Sequence, residues 1–127
     1  MTDPISDMLI RIKNAYTVSH QQVLVPFSKL KMELLKILKD EGYIFDYEKK
    51  EYNKKLFIKI RLKYIKDQAA ISGLRKISKP GRRIYVGKIF PLKRFGGISI
   101  ISTAKGLKTD MEAKKEKIGG ELLCEIW

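Results

Sequence analysis

Two short stretches near the C-terminus hold the side chains best placed to do chemistry. Ser102-Thr103-Ala104-Lys105-Gly106 sets two hydroxyls, a cation and a glycine together, and leads to Thr109, whose spacing from Glu112 is that of a capping box at a helix start. Hydroxyls and free backbone N–H groups bind phosphate or sugar oxygens, Gly106 permits close backbone approach, and Lys105 neutralises charge. A small-residue loop that merely closes a turn has the same composition. Gly119-Gly120-Glu121 is the second stretch. A carboxylate there sits among cations, and it is out of place unless it accepts a specific hydrogen bond, such as one from the exocyclic amine of a base. The alternative is a surface glutamate that opens a strand.

Catalysis finds no carrier. The chain has one cysteine, Cys124, and one histidine, His20, too few for a structural zinc site. Cys124 alternates with apolar neighbours and reads as a buried structural thiol, while His20 sits in a polar linker. No phosphate-binding loop ending in Lys-Ser/Thr and no dinucleotide fingerprint occurs. No cofactor is expected, and no small-molecule substrate.

Charge supplies the context. The 127 residues include 27 Lys+Arg and 14 Asp+Glu, a formal charge of +13, and 44% are hydrophobic, enough for a real core. A lone cysteine suits an intracellular chain. No apolar run approaches the roughly 18 residues of a membrane helix, and the start lacks the pattern of a secretory signal. These features predict a soluble basic protein with a polyanionic partner. Residues 1–67 carry 14 basic and 9 acidic side chains, against 13 and 5 in residues 68–127. Between Asp67 and Asp110 there is no acid at all, only Arg75, Lys76, Lys79, Arg82, Arg83, Lys88, Lys93, Arg94, Lys105 and Lys108. A one-signed stretch repels itself, a cost that a bound anion removes.

The elements that must position these groups follow from periodicity. Ile5, Met8, Leu9 and Ile12 share one face of a helix expected over 4–15, with Asp3 as N-cap and Pro4 at its first position. Arg11, Lys13 and Asn14 fall away from that face. A short extended piece, 23–26, precedes a second helix capped by Ser28, buried through Leu30, Leu34, Ile37 and Leu38 and stopped by Gly42. Lys29 and Lys31 open this helix, where cations oppose the macrodipole and bound phosphate would relieve the conflict. A hairpin follows: 43–48, a turn at Asn53-Lys54, then 56–64, with Leu56, Ile58, Ile60, Leu62 and Tyr64 inward. Its solvated face is a basic ladder. Near residue 67 the chain passes into a second lobe, giving 1–67 as an N-terminal α/β lobe and 68–127 as a β-rich lobe. Strands are expected over 71–78, 84–86, 98–101 and 122–127, with a turn at Lys79-Pro80-Gly81, a loop from Ser102 and a short helix from Thr109. Leu122, Cys124 and Ile126 should share one face. The predicted class is α/β of the α+β kind: helices on a short sheet, then a mostly antiparallel lobe with one short helix.

Several motifs resemble a known family. Met1-Thr2-Asp3-Pro4-Ile5-Ser6-Asp7-Met8-Leu9, Ile77-Ser78-Lys79-Pro80-Gly81-Arg82-Arg83-Ile84-Tyr85, Gly97-Ile98-Ser99-Ile100-Ile101-Ser102-Thr103-Ala104-Lys105-Gly106, and the ending from Thr109-Asp110 through Gly119-Gly120-Glu121 to Trp127 resemble small-subunit ribosomal protein eight of bacteria and organelles. The match runs end to end. It implies a two-lobed, non-enzymatic protein of cytoplasmic or organellar ribosomes that binds the central domain of small-subunit rRNA, supports assembly beside neighbouring ribosomal proteins, and in some bacteria represses its own messenger. The resemblance implies RNA contacts at Ser102, Thr103, Lys105, Gly106 and Glu121, with Tyr85 nearby. Ala104 replaces the family's usual serine, so it offers only backbone and methyl surface. For the N-terminal lobe the expected contacts are Arg11, Asn14, Lys29 and Lys31.

Two rival readings differ in class. A DNA-binding architectural protein shares the charge but needs a recognition helix, whereas the basic segment reads as strands and loops. An enzyme acting on a phosphorylated substrate needs a general base, and none is evident.

Overall fold

The computed structural model describes residues 4–79, 81–87 and 96–127. Asp3, Pro80, Lys88, Lys93 and Arg94, given roles above, lie outside the described residues. The chain forms two compact units, one ending at Ser72 and the other spanning Gly73–Trp127.

The first unit runs α1 (Pro4–Thr17), β1 (Gln22–Pro26), α2 (Lys29–Asp40), β2 (Asp46–Tyr52), β3 (Lys55–Arg61), β4 (Tyr64–Ile65) and β5 (Gln68–Ala69). Its sheet is antiparallel in the order β1-β3-β2, and β4 and β5 form a separate small hairpin. The stripe of α1 is buried as expected, with Ala15 and Tyr16 added. Ser28 caps α2 by accepting from the Lys31 N–H at 3.2 Å, and Gly42 follows the helix at φ +83°. The buried face of α2 is rotated from the expected one: Lys31, Leu34, Leu35 and Leu38 point inward, whereas Leu30 is 42% exposed. Spacing of three and four residues fits both stripes, and the aliphatic stem of Lys31 supplies the apolar surface at its position. Ile58, Ile60 and Leu62 are buried; Leu56, beside the hairpin turn, is exposed and Tyr64 half-buried. Asn53 and Lys54 turn the hairpin at φ 50° and 64°.

One phenol ties this unit together. Tyr16 Oη donates to the Tyr43 carbonyl at 2.7 Å and accepts from the Lys63 N–H at 3.0 Å. Burial holds its pKa above the ordinary 10.0; the Lys63 hydrogen bond opposes this, and Tyr64 adds to it. A group that binds its proton more tightly when folded stabilises the fold below the unfolded pKa, and this contribution fades as pH rises through the folded value. Tyr16→Phe leaves two backbone groups short of a partner. We expect a loss of about 1–3 kcal/mol in urea unfolding at pH 7, and a smaller stability drop than wild type above pH 10.

The second unit comprises β6 (Leu74–Lys76), β7 (Tyr85–Val86), β8 (Ile98–Thr103), β9 (Gly106–Thr109), α3 (Asp110–Glu116) and β10 (Gly120–Ile126). Its antiparallel sheet has the order β6-β10-β8-β9, with β7 also on β10. Thr109 caps α3 in a full capping box with Glu112. The fold is α+β. Three details depart from expectation. The strand foreseen over 71–78 is only Leu74–Lys76. The loop foreseen from Ser102 is a β-hairpin, since Ser102 and Thr103 end β8, Gly106 begins β9 at φ +103°, and only Ala104 and Lys105 turn the chain. Finally, β10 carries a bulge: Leu122 faces Ile101 but Cys124 faces Ile100, with Leu123 as the extra residue. Leu122 and Cys124 therefore stand on opposite faces, and only Cys124 and Ile126 share the expected one. Cys124 is buried, as its apolar setting predicted.

Candidate nucleic-acid interface

Register, rather than sequence proximity, builds the site. Tyr85 on β7 opposes Glu121 on β10, which opposes Ser102 on β8. Directly opposed residues on antiparallel strands project to the same face. The sheet thus brings a ring that is 67% exposed, a carboxylate and a hydroxyl into one row. Two residues further along the chain from Ser102 is the hairpin tip, where Ala104 and Lys105 are exposed. Thr103 serves the hairpin itself: its Oγ1 donates to the Gly106 carbonyl at 2.7 Å and accepts from the Lys105 N–H at 3.1 Å. Its hydroxyl proton is engaged, which fixes the tip and the approach to Lys105. Gly106 meets the positive-φ demand of this tight turn.

The acid-free stretch of sequence is not acid-free in space. Glu121 accepts from Arg83 Nη1 at 3.4 Å, Glu125 pairs with Arg75, and Glu116 lies 3.4 Å from Lys108. The ammonium of Lys76 is bonded to the Ser78 carbonyl. Of the described cations in that stretch, this leaves Lys79, Arg82 and Lys105 exposed and without a carboxylate partner. Arg83, 58% exposed, is held by a contact of little net strength and can exchange it for a phosphate.

Sequence reasoning passed over Ser78. It is buried; its Oγ donates to the Leu122 carbonyl at 2.7 Å and accepts from the Ile84 N–H at 2.9 Å, while Leu123 O accepts from Ile77 N–H at 2.8 Å. The segment carrying Arg82, Arg83 and Tyr85 is thereby fastened to β10. Lys79 and Arg82 exchange two backbone hydrogen bonds of 2.9 Å, closing the turn. A buried serine between cations was the only signal.

In the first unit the expected contacts separate. Arg11 and Asn14 are exposed on α1, with Arg11 Nε 3.1 Å from Asp7 one turn earlier, and Lys29 is exposed at the start of α2. Lys31 is not available: it is 4% exposed and its ammonium donates to the Pro26 carbonyl at 2.9 Å. Burial lowers its pKa from the lysine norm, with Asp7 opposing and Arg11 adding. Its inward face on α2 follows from the helix rotation above, so the expectation of a phosphate contact there is corrected. Lys31→Ala should cost about 1 kcal/mol of stability, because a carbonyl loses its donor and the stem its packing. RNA affinity measured on the folded variant should stay within twofold of wild type.

Among the described residues there is no cluster of three or more potential metal-ligating His, Cys, Asp or Glu, and no helix long and apolar enough to cross a membrane.

Comparison with known proteins agrees on one family. The sequence model described as ribosomal protein S8 matches residues 3–127. A small ribosomal subunit protein uS8 of Natranaerobius thermophilus is 54% identical, covering 100% of this chain and 98% of the relative. The proteins of the same name from Persephonella marina and Caldicellulosiruptor bescii are 53% and 51% identical, covering 100% and 98% of this chain and 99% and 97% of their own lengths.

Proposed function

The chain belongs to the ribosomal protein S8 family, and from that premise we propose that it binds the central domain of small-subunit rRNA through its second unit and supports assembly of that subunit. Its role is that of a structural component of the ribosome, not an enzyme. The observation that carries the RNA reading is the row Tyr85-Glu121-Ser102 beside a tip bearing Lys105. An RNA duplex hides its base edges in a deep major groove and displays sugar hydroxyls in a shallow minor one, so recognition falls on 2′-hydroxyls, phosphates and unpaired bases. Ser102 and Glu121 supply the selective hydrogen bonds. Lys79, Arg82 and Lys105 supply attraction that is indifferent to sequence. Ala104 offers the tip only backbone and a methyl group. A messenger presenting the same irregular helix would compete for the same row, which is the basis of autorepression where it occurs.

Chemical footprinting of small-subunit rRNA with the purified chain tests this reading. Protection confined to a central-domain helix is the expected result, and equal protection of all helices refutes it. Lys105→Ala should weaken binding to every RNA alike, and reduce the slope of log affinity against log salt by about one.

A further inference from the structure

The first unit holds a cleft of about 620 Å³ lined by Ser19, Gln21, Gln22, Phe45, Arg61, Leu62, Lys63, Tyr64 and Asp67, none of which is among the RNA contacts considered so far. We propose that it receives one unpaired nucleotide of a bound RNA, with the base against Phe45 and the backbone phosphate between Arg61 and Lys63. The inference rests on the RNA-binding reading above and adds a second, separate contact to it.

Four observations support this occupant. Phe45 is 60% exposed, so the face of its ring is open to a flat partner. Every base has such a face, and stacking on an aromatic side chain is a principal mode of single-strand recognition. Around the ring stand two cations, two amides and a carboxylate, the donors and acceptors that a phosphate, a sugar hydroxyl and base edges require. The net charge of the charged lining, two cations against Asp67, favours an anion. Finally, the walls are already set. Ser19 is held at φ 58° by a bond from its N–H to the Tyr16 carbonyl at 3.1 Å, and Asp67 sits at φ 65° in the two-residue turn between β4 and β5. The floor is tied by Leu62 N–H to the Gln21 carbonyl at 2.9 Å, and by Tyr64 Oη to the His20 carbonyl at 2.6 Å. Phe45 N–H donates to the Arg61 carbonyl at 3.0 Å, so ring and guanidinium come from adjoining backbone. A site with fixed walls loses little entropy on binding.

The experiment is photo-cross-linking of the whole chain to a 4-thiouridine-substituted small-subunit rRNA transcript, with the modified residue mapped by mass spectrometry. A cross-link at Phe45 or Tyr64 is expected. Phe45→Ala should remove it and weaken binding about tenfold; Arg61→Gln should reduce the salt slope by about one. Both side chains are exposed, and thermal melts within a few degrees of wild type establish that the variants fold. Cross-links confined to residues 73–127, with Phe45→Ala binding as wild type, overturn the cleft assignment and leave the RNA-binding reading standing. A chain that retains no RNA at all overturns both. If Phe45→Ala binds RNA normally but enters small subunits poorly, the cleft belongs to a neighbouring protein and the inference is wrong.

Discussion

Glu121→Ala is expected to lower affinity for cognate rRNA ten- to a hundredfold while raising affinity for unrelated RNA. The two effects come from one pair of side chains. Glu121 is the acceptor in a row otherwise made of a ring and a hydroxyl, and a well-placed side-chain contact to a base contributes about 1–3 kcal/mol of discrimination. Without it, the cognate complex loses that contact. The unbound protein meanwhile loses the partner of Arg83, so one more guanidinium is free for any phosphate. The salt slope should steepen by about one. Glu121→Gln separates the contributions, since it keeps an acceptor oxygen and also releases Arg83. Filter binding with cognate and scrambled RNA across a salt series reads all of these, and an equal loss on both RNAs disproves the selective role.

Gly120→Ala is expected to destabilise the second unit by about 3 kcal/mol and to abolish RNA binding with it. A Cβ at this position would run into the Ser102 carbonyl oxygen, and would lie 2.8 Å from the Ser102 carbonyl carbon and 3.2 Å from Ile101 Cγ2. The first two neighbours are backbone in the central pair of the sheet, which cannot yield without parting β8 from β10. Gly119 is confined likewise from the other side, where an added Cβ would meet the Val86 carbonyl oxygen and lie 2.8 Å from the Gly87 carbonyl carbon. The two glycines therefore let β10 pass closely between its neighbours just before Glu121. Hydrogen exchange should show faster exchange for the amides of β8 and β10. Gly81→Ala is the control: nothing lies within 4 Å of an added Cβ there, and its stability should stay within about 0.5 kcal/mol of wild type.

Features with local causes were legible in the sequence. The α1 stripe, the Ser28 cap and the Thr109 capping box depend on residues three or four apart, and they occur where spacing placed them. Position across strands was not legible. Ser102 and Glu121 both stand out by residue type, yet no local pattern indicates that they face one another, because register is set by pairings among distant strands. The Ser102 segment reads as a loop because Ala, Lys and Gly are poor strand formers and outweigh the single β-branched Thr103; the hairpin forms because β10 offers β8 a ladder and β8 in turn offers one to β9. Lys31 was misplaced through the ordinary rule that lysine is exposed, which neglects its apolar stem. The charge run in sequence likewise overstates the free cations in space. Acids distant in sequence, Glu116, Glu121 and Glu125, return in space to meet three of its cations.

The bulge at Leu123 has an electrostatic consequence. Glu121 and Glu125 lie four residues apart, and on a regular strand both would project from the same face of the sheet. The extra residue shifts the alternation, so Glu121 aligns with Ser102 and Glu125 with Ser99, three positions apart on β8 and hence on opposite faces. Each carboxylate then has its own arginine, Arg83 for one and Arg75 for the other. A phosphate that draws Arg83 away exposes the charge of Glu121 alone, and leaves the Glu125 pair on the far side of the sheet intact. One inserted residue thus sets the two ion pairs on opposite faces of the sheet, so that each arginine answers to a single carboxylate.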